Sequence, residues 1–191
     1  MILFRRFVVV LFAAALLSGC ASNTPANNPN EVGFVAADGS AVLRDESERT
    51  AAPELVFDGI SPAATWSVES ARGSVVLLNV WGPWCAPCRK EFPDLQELSE
   101  TLGPDGLEIV GVATRTTATS VSAFTSAQKI SFRQVADFDS LIVSSISGVP
   151  SSTVPSSILI DRKGRVAGWV LGAADPVLLK SMLKSLLEES A

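Results

Sequence analysis

The feature that most constrains this chain is a short apolar run that leads into two closely spaced cysteines. Val75-Val76-Leu77-Leu78-Asn79-Val80-Trp81 is β-branched and apolar on both alternating faces, the pattern of a central strand covered on both sides. Trp84-Cys85-Ala86-Pro87-Cys88 follows, and a helical pattern runs from Cys85 to Leu102. Phe92, Leu95, Ser99 and Leu102 mark one face of that helix, and Pro93 is expected to kink it. A strand that passes through a Cys-X-X-Cys turn into a helix points to an α/β fold with the cysteines at a helix N-terminus.

That position defines a chemistry. Free N–H groups and the helix dipole favour a thiolate at Cys85, the nucleophile of thiol–disulfide exchange. Cys88 lies on the same face, one turn deeper, where it can attack a mixed disulfide and release the partner. Pro87 stiffens the turn where its missing N–H is of no consequence. A half zinc site is the competing interpretation, but zinc needs four ligands. The chain has three cysteines and no histidine, so no metal and no cofactor is expected. The absence of histidine also excludes Ser-His-Asp and Cys-His enzymes and a covalent haem site.

Glu91 follows Cys88 by three residues and shares its face. A carboxylate there can relay a proton to the deeper thiol. It can equally be a solvated surface acid beside Arg89 and Lys90, and spacing alone favours the latter. Pro155, before Ser156-Ser157-Ile158-Leu159-Ile160, and Pro150 both sit where a cis bond could precede a strand. Sequence physics does not choose between them.

The N-terminus reads as an export signal. Arg5 and Arg6 precede an apolar run from Phe7 to Leu17, too short to span a bilayer, which takes about 20 residues. Leu17-Ser18-Gly19-Cys20 resembles a bacterial lipobox, which makes Cys20 the lipidation site and leaves Cys85 and Cys88 as the pair. The Arg-Arg pair also raises a twin-arginine route, which its neighbours fit poorly. Removing residues 1–19 deletes two arginines and no acid, taking the formal net charge from −5 to −7. Such a domain does not bind nucleic acid. It also holds a membrane by its lipid and not by charge.

Ala21 to Asn30 is a polar tether rich in asparagine and proline. Phe34–Ala37 and Ala41–Leu43 flank Asp38-Gly39 as a hairpin, and Asp45 to Pro53 reads as a charged, mobile connection. Between Leu55 and Arg72, only Trp66 and Val68 mark a short strand. Beyond the cysteine helix come a strand at Leu107–Val112 and a weak helix at Val121–Lys129. Ile158–Ile160 and Val166–Val170 form a hairpin around Asp161-Arg162-Lys163-Gly164. Asp175-Pro176 opens a last helix that buries Leu178, Leu179, Met182, Leu183, Leu186 and Leu187. A parallel half, a hairpin and a closing helix make an α/β sandwich.

From about Gly73 onward the chain resembles the thioredoxin-like proteins of the TlpA/ResA group. The matching stretches are Val80-Trp81-Gly82-Pro83-Trp84-Cys85-Ala86-Pro87-Cys88-Arg89-Lys90-Glu91-Phe92-Pro93, Leu107–Val112, and Val154-Pro155-Ser156-Ser157 through Gly164. The lipobox and N-terminal hairpin are similar to actinobacterial members of the CcsX type. The resemblance implies a thioredoxin-like three-layer sandwich with a central mixed sheet and an N-terminal β-hairpin extension. It divides the chain into a signal peptide (1–19), a lipidated cysteine and tether (20–31), an extension (32–72) and the thioredoxin-like domain (73–191).

The same resemblance makes Cys85 and Cys88 the redox disulfide and reverses the balance on Glu91, which falls on the family's cavity glutamate. It selects Pro155 as the cis-proline and assigns Trp84, Pro87, Val154 and Pro155 to substrate binding. Ser144 to Thr153 is longer than in most relatives. The implied function is reduction of apocytochrome c cysteines by a monomer at the outer face of the cytoplasmic membrane, recharged by an integral-membrane thiol carrier of CcdA or DsbD type. Two alternatives stand beside it: an oxidase that introduces disulfides into exported proteins, and a tethered binding module with a merely structural disulfide.

Overall fold

The computed structural model describes residues 40–147, 149 and 153–190. In chain order the strands and helices are β1 (Ala41–Leu43), β2 (Thr50–Ala51), β3 (Val56–Ser61), β4 (Trp66–Ser67), β5 (Val75–Trp81), α1 (Ala86–Leu102), β6 (Leu107–Ala113), α2 (Ala118–Ala127), β7 (Arg133–Ala136), α3 (Leu141–Ser144), β8 (Ser156–Ile160), β9 (Arg165–Leu171) and α4 (Pro176–Leu187). The strands form one sheet in the order β1-β9-β8-β5-β6-β7-β3-β4, with β2 also on β9. β5 pairs parallel with β6 and antiparallel with β8, so the sheet is mixed.

The two-sided pattern of β5 is what builds three layers. Val75, Leu77 and Trp81 face one core with Phe92, Leu95, Leu98 and Leu102 of α1, Val121 of α2, and Leu179, Met182, Leu183 and Leu186 of α4. Val76, Leu78 and Val80 face the other, with Leu55, Phe57, Trp66, Val143 of α3 and Ile146. All seven β5 residues are buried. Apolar surface removed from water contributes roughly 25 cal/mol per Å², and a strand buried on both faces contributes it to both layers. On α1, Leu98 fills the core where the sequence pattern placed Ser99, which is only half-buried. Pro93 lies on the exposed side of a helix that continues to Leu102. α4 starts as its sequence directs: Asp175 caps it by accepting the Leu178 N–H at 2.9 Å, and Pro176 is its first residue.

The connection at Asp45–Pro53 corrects the sequence expectation of mobility. It contains β2, paired with β9, and a fastened side chain, Arg49. The Arg49 guanidinium is 3% exposed and reaches Asp161 at 3.2 Å and both Glu189 oxygens at 2.5 and 2.7 Å. Its Nε donates to the Arg44 carbonyl at 3.1 Å. The Arg49 charge is therefore spent on Asp161, which is buried, and on Glu189, which is partly exposed. Ala41–Leu43 forms a strand as expected, paired to β9. The Phe34–Ala37 strand and the Asp38-Gly39 turn lie outside the described residues.

Candidate active site

β5 and β6 run parallel and end together at Trp81 and Ala113. The Thr114 N–H continues the ladder to the Trp81 carbonyl at 2.9 Å. Beyond that end the chain turns through Gly82 and Pro83 into α1. Cys85 is the N-cap residue: its sulfur accepts the Cys88 N–H at 3.2 Å, one of the free donors of the first turn. Cys85 and Cys88 are joined as a disulfide. Both sulfur-bearing residues are buried, Cys85 at 5% exposure and Cys88 fully. Arg89 and Lys90 are exposed, and an Arg89 nitrogen donates to the Pro83 carbonyl at 2.7 Å.

In the core cluster that contains both cysteines, Trp81 and Phe92 meet at a tilt with centroids 4.4 Å apart, and Phe124 and Phe132 close the aromatic group. The Trp81 indole N–H donates to Gln134 at 2.9 Å. Gln134 is fully buried beside Gly111, where any side chain would collide with its amide. Contacts of this kind fix the first turns of α1 from below.

Glu91 is buried, at 7% exposure. One carboxylate oxygen accepts from the Asn79 side-chain amide at 2.8 Å, the other from the Ala174 N–H at 3.4 Å. Burial pushes its carboxyl above the ordinary value; these two hydrogen bonds oppose the shift, and the neighbouring Asp94 charge adds to it. Asn79 also reaches the Ser157 hydroxyl at 3.5 Å, while its own Oδ1 is buried without a hydrogen-bond partner. The site therefore pairs a disulfide with a carboxyl whose proton affinity is raised, held by two neutral donors, one on β5 and one in the turn before α4.

Trp84 stands at the mouth, 48% exposed. Its indole N–H donates to the Thr114 carbonyl at 3.3 Å, and the Arg115 guanidinium lies 4.6 Å from its ring centre. Gly82 permits this fold-back, because a Cβ there would overlap the indole nitrogen. Pro87 is exposed beside the cysteines. The Val154–Pro155 bond is cis, as is Ser61–Pro62. Val154 packs against the core cluster that contains both cysteines, and Pro155 is buried. Pro150 and Cys20 lie outside the described residues. Sequence reasoning passed over Asn79, although a lone amide in an apolar strand was a usable signal. It also missed Arg115, for which the sequence carries none. Among the described residues no three His, Cys, Asp or Glu side chains converge as a metal site. None of their helices is long and apolar enough to cross a membrane.

Comparison with known proteins agrees with this geometry. The AhpC/TSA family model matches residues 49–168. The thiol–disulfide oxidoreductase ResA of Bacillus cereus is 30% identical over 119 residues, 62% of this chain and 67% of that protein. A DsbF homologue from Corynebacterium diphtheriae superposes with a TM-score of 0.72 at 31% identity, over 82% of this chain and 99% of its own. A secreted thiol–disulfide isomerase from Corynebacterium glutamicum gives a TM-score of 0.75 at 27% identity, with 82% and 99% covered.

Proposed function

We propose, from the premise that this chain belongs to the AhpC/TSA family and is a thiol–disulfide oxidoreductase, that it is an exported, lipid-anchored reductant of apocytochrome c cysteines. Residues 1–19 are removed, Cys20 carries the lipid, and residues 20–31 tether the extension (32–72) and the thioredoxin-like domain (73–191). In the reduced protein the Cys85 thiolate attacks a substrate disulfide. A Cys85–substrate bond forms and the second substrate sulfur leaves as a thiolate. Cys88 then attacks Cys85, releasing the first substrate sulfur and closing the disulfide seen here. Glu91 holds and returns the proton that Cys88 exchanges. Trp84, Pro87, Val154 and Pro155 receive the substrate segment. An integral-membrane thiol carrier of CcdA or DsbD type restores the dithiol.

The observation that carries the reducing direction is the buried Glu91 carboxyl on the helix turn below Cys88. When charged it opposes thiolate formation beside it, and so withholds the stabilisation of the reduced form that makes a strong oxidant. The TlpA/ResA resemblance supplies the cytochrome substrate, and the lipobox supplies the anchor. The test is the reduction potential together with a deletion strain. A potential near or below about −270 mV is expected. Loss of haem-bound c-type cytochromes, partly restored by an added small thiol, is expected with it. Cys20→Ala is expected to abolish lipid labelling.

A second function rests on weaker support: Arg89, Lys90 and Arg115 are exposed cations on the elements that flank the cysteine turn, Arg115 over the Trp84 ring, and cations near a thiol favour its thiolate. That would suit an oxidase for exported proteins. A potential near about −120 mV with normal cytochrome levels in the deletion would establish it in place of the reductant.

A further inference from the structure

Arg115 is built into the mouth of the site in a way its sequence position does not explain. It follows β6 and has a left-handed backbone, φ 49°, a conformation that disfavours residues with a side chain. Two contacts hold it there. Its N–H donates to the Phe138 carbonyl at 3.0 Å, and the preceding Thr114 is buried with its hydroxyl bonded to Ser140. The result is a guanidinium 4.6 Å from the ring centre of Trp84, the residue that precedes the nucleophilic cysteine. Strained backbone of this kind persists where the surroundings over-determine it, and it clusters at ligand clamps.

Among the described residues no acid of the chain neutralises the charge at this point, a condition Arg115 shares with Arg44, Arg89, Lys90, Lys129, Arg162 and Lys184; what sets it apart is its place over Trp84 at the mouth of the site. Arg49, Arg72, Arg133, Lys163, Arg165 and Lys180 each pair with a carboxylate of the same chain. Among the described residues no carboxylate lies within ion-pair distance of Arg115, although it is exposed and the chain carries a net charge of −5. A guanidinium lying against an indole still offers the N–H donors along its edge, and that planar fork matches a carboxylate.

We propose that Arg115 is a specificity-determining residue that binds a side-chain carboxylate of the substrate segment flanking the reactive cysteine, with Trp84 as the apolar platform beneath it. The proposal rests on Cys85 as the attacking thiol. A substrate sulfur bonded to Cys85 is one residue from Trp84 along this chain, so an Asp or Glu close to the substrate cysteine meets the Arg115 edge. The field of an acidic domain would repel such a segment, and the cation reverses that locally.

The test uses the mature lipidated protein in detergent micelles, carrying Cys88→Ser so that the reaction stops at the mixed disulfide. The probes are peptides, amidated at the C-terminus, whose single cysteine bears a chromogenic aromatic thiol, with Glu, Gln or Lys two residues away. The Glu peptide is expected to react about two- to fivefold faster than the Gln peptide at low salt, the worth of one exposed Arg–carboxylate pair, and the ratio is expected to shrink with added salt. Arg115→Gln and Arg115→Gly, the latter suited to the left-handed backbone, are expected to bring the ratio near one. Arg115→Glu is expected to make the Lys peptide the preferred one.

An unchanged ratio in folded Arg115→Gln and Arg115→Gly would overturn the proposal. So would its loss only in an Arg89→Gln/Lys90→Gln variant, or a preference that follows a free peptide C-terminus in place of the Glu side chain. A failure of the functional assignment appears separately, as an oxidising potential or as full reaction by Cys85→Ser.

Discussion

Replacing Arg49 by methionine tests how the N-terminal segment is held. The side chain is 3% exposed and makes four hydrogen bonds, to the Arg44 carbonyl, to Asp161 and to both oxygens of Glu189. Methionine keeps most of the volume and removes the charge. Breaking a fully buried ion pair costs about 3–5 kcal/mol, chiefly from the carboxylate left behind. Two facts reduce that figure here. Asp161 keeps Arg165 at 2.7 Å and the N–H groups of Lys163 and Arg165, and the Glu189 side chain is 29% exposed, so water replaces part of the loss. The expected cost is about 2–3 kcal/mol, or a fall in Tm of roughly 4–12 °C for a domain of this size. Urea titration followed by tryptophan fluorescence measures it, with Glu189→Gln as a milder companion. The pairing of Val76 with Ile160 puts this cluster at the start of β5, while the cysteines follow its end. Insulin-disulfide reduction is therefore expected to survive the change. A urea midpoint within error of the parent would refute the claim that Arg49 fastens the segment.

Three other outcomes follow from the site. Burial raises the Glu91 carboxyl above its ordinary 4.5, so its folding contribution is complete below that pH and is lost as pH rises through the raised value. Glu91→Gln is therefore expected to flatten stability against pH above 4.5, while Cys88 alkylation in the reduced protein loses one titration step; unchanged profiles in urea and alkylation series would return Glu91 to an inert role. Asn79→Leu removes the donor that opposes this shift, and the Glu91 carboxyl is expected to titrate at still higher pH by carbon-13 NMR, with no movement counting against the hydrogen bond. Gly82→Ala drives a methyl into the Trp84 indole, and about 1–3 kcal/mol of destabilisation with an altered Trp84 emission is expected; a silent change would contradict the close packing.

The elements legible in the sequence are those whose cause is local. β5 declared itself because apolar residues occupy both of its alternating faces, and α1 and α4 because a cap and a face lie within one or two turns. β7 was not legible. It exposes Arg133 in part and buries the amide of Gln134, a polar residue accepted inside only because Trp81 supplies a donor and Gly111 supplies space. The Asp45–Pro53 segment looked mobile because its charges were counted without their partners, which lie 112 and 140 residues away from Arg49. Helix α2 begins at Ala118, three residues earlier than its apolar pattern, because Thr117 caps it by accepting the Ser120 N–H. At the site, spacing put Glu91 on the face of Cys88. It could not show that β5 turns an amide toward that face, and burial there is what separates a surface acid from a group with raised proton affinity.

The two ends of β5 use charge in opposite ways. At its start, Arg49, Asp161, Arg165, Glu46 and Glu189 satisfy one another, and most of their donors and acceptors are engaged. Around the buried Arg49–Asp161 pair, a network in that condition holds geometry. At its other end the pairing is deliberately incomplete: Glu91 meets only neutral donors, Asn79 Oδ1 meets nothing, and Arg115 has an aromatic ring where an acid would neutralise it. Each of these groups retains hydrogen-bonding or charge-pairing capacity that its neighbours in the chain do not use.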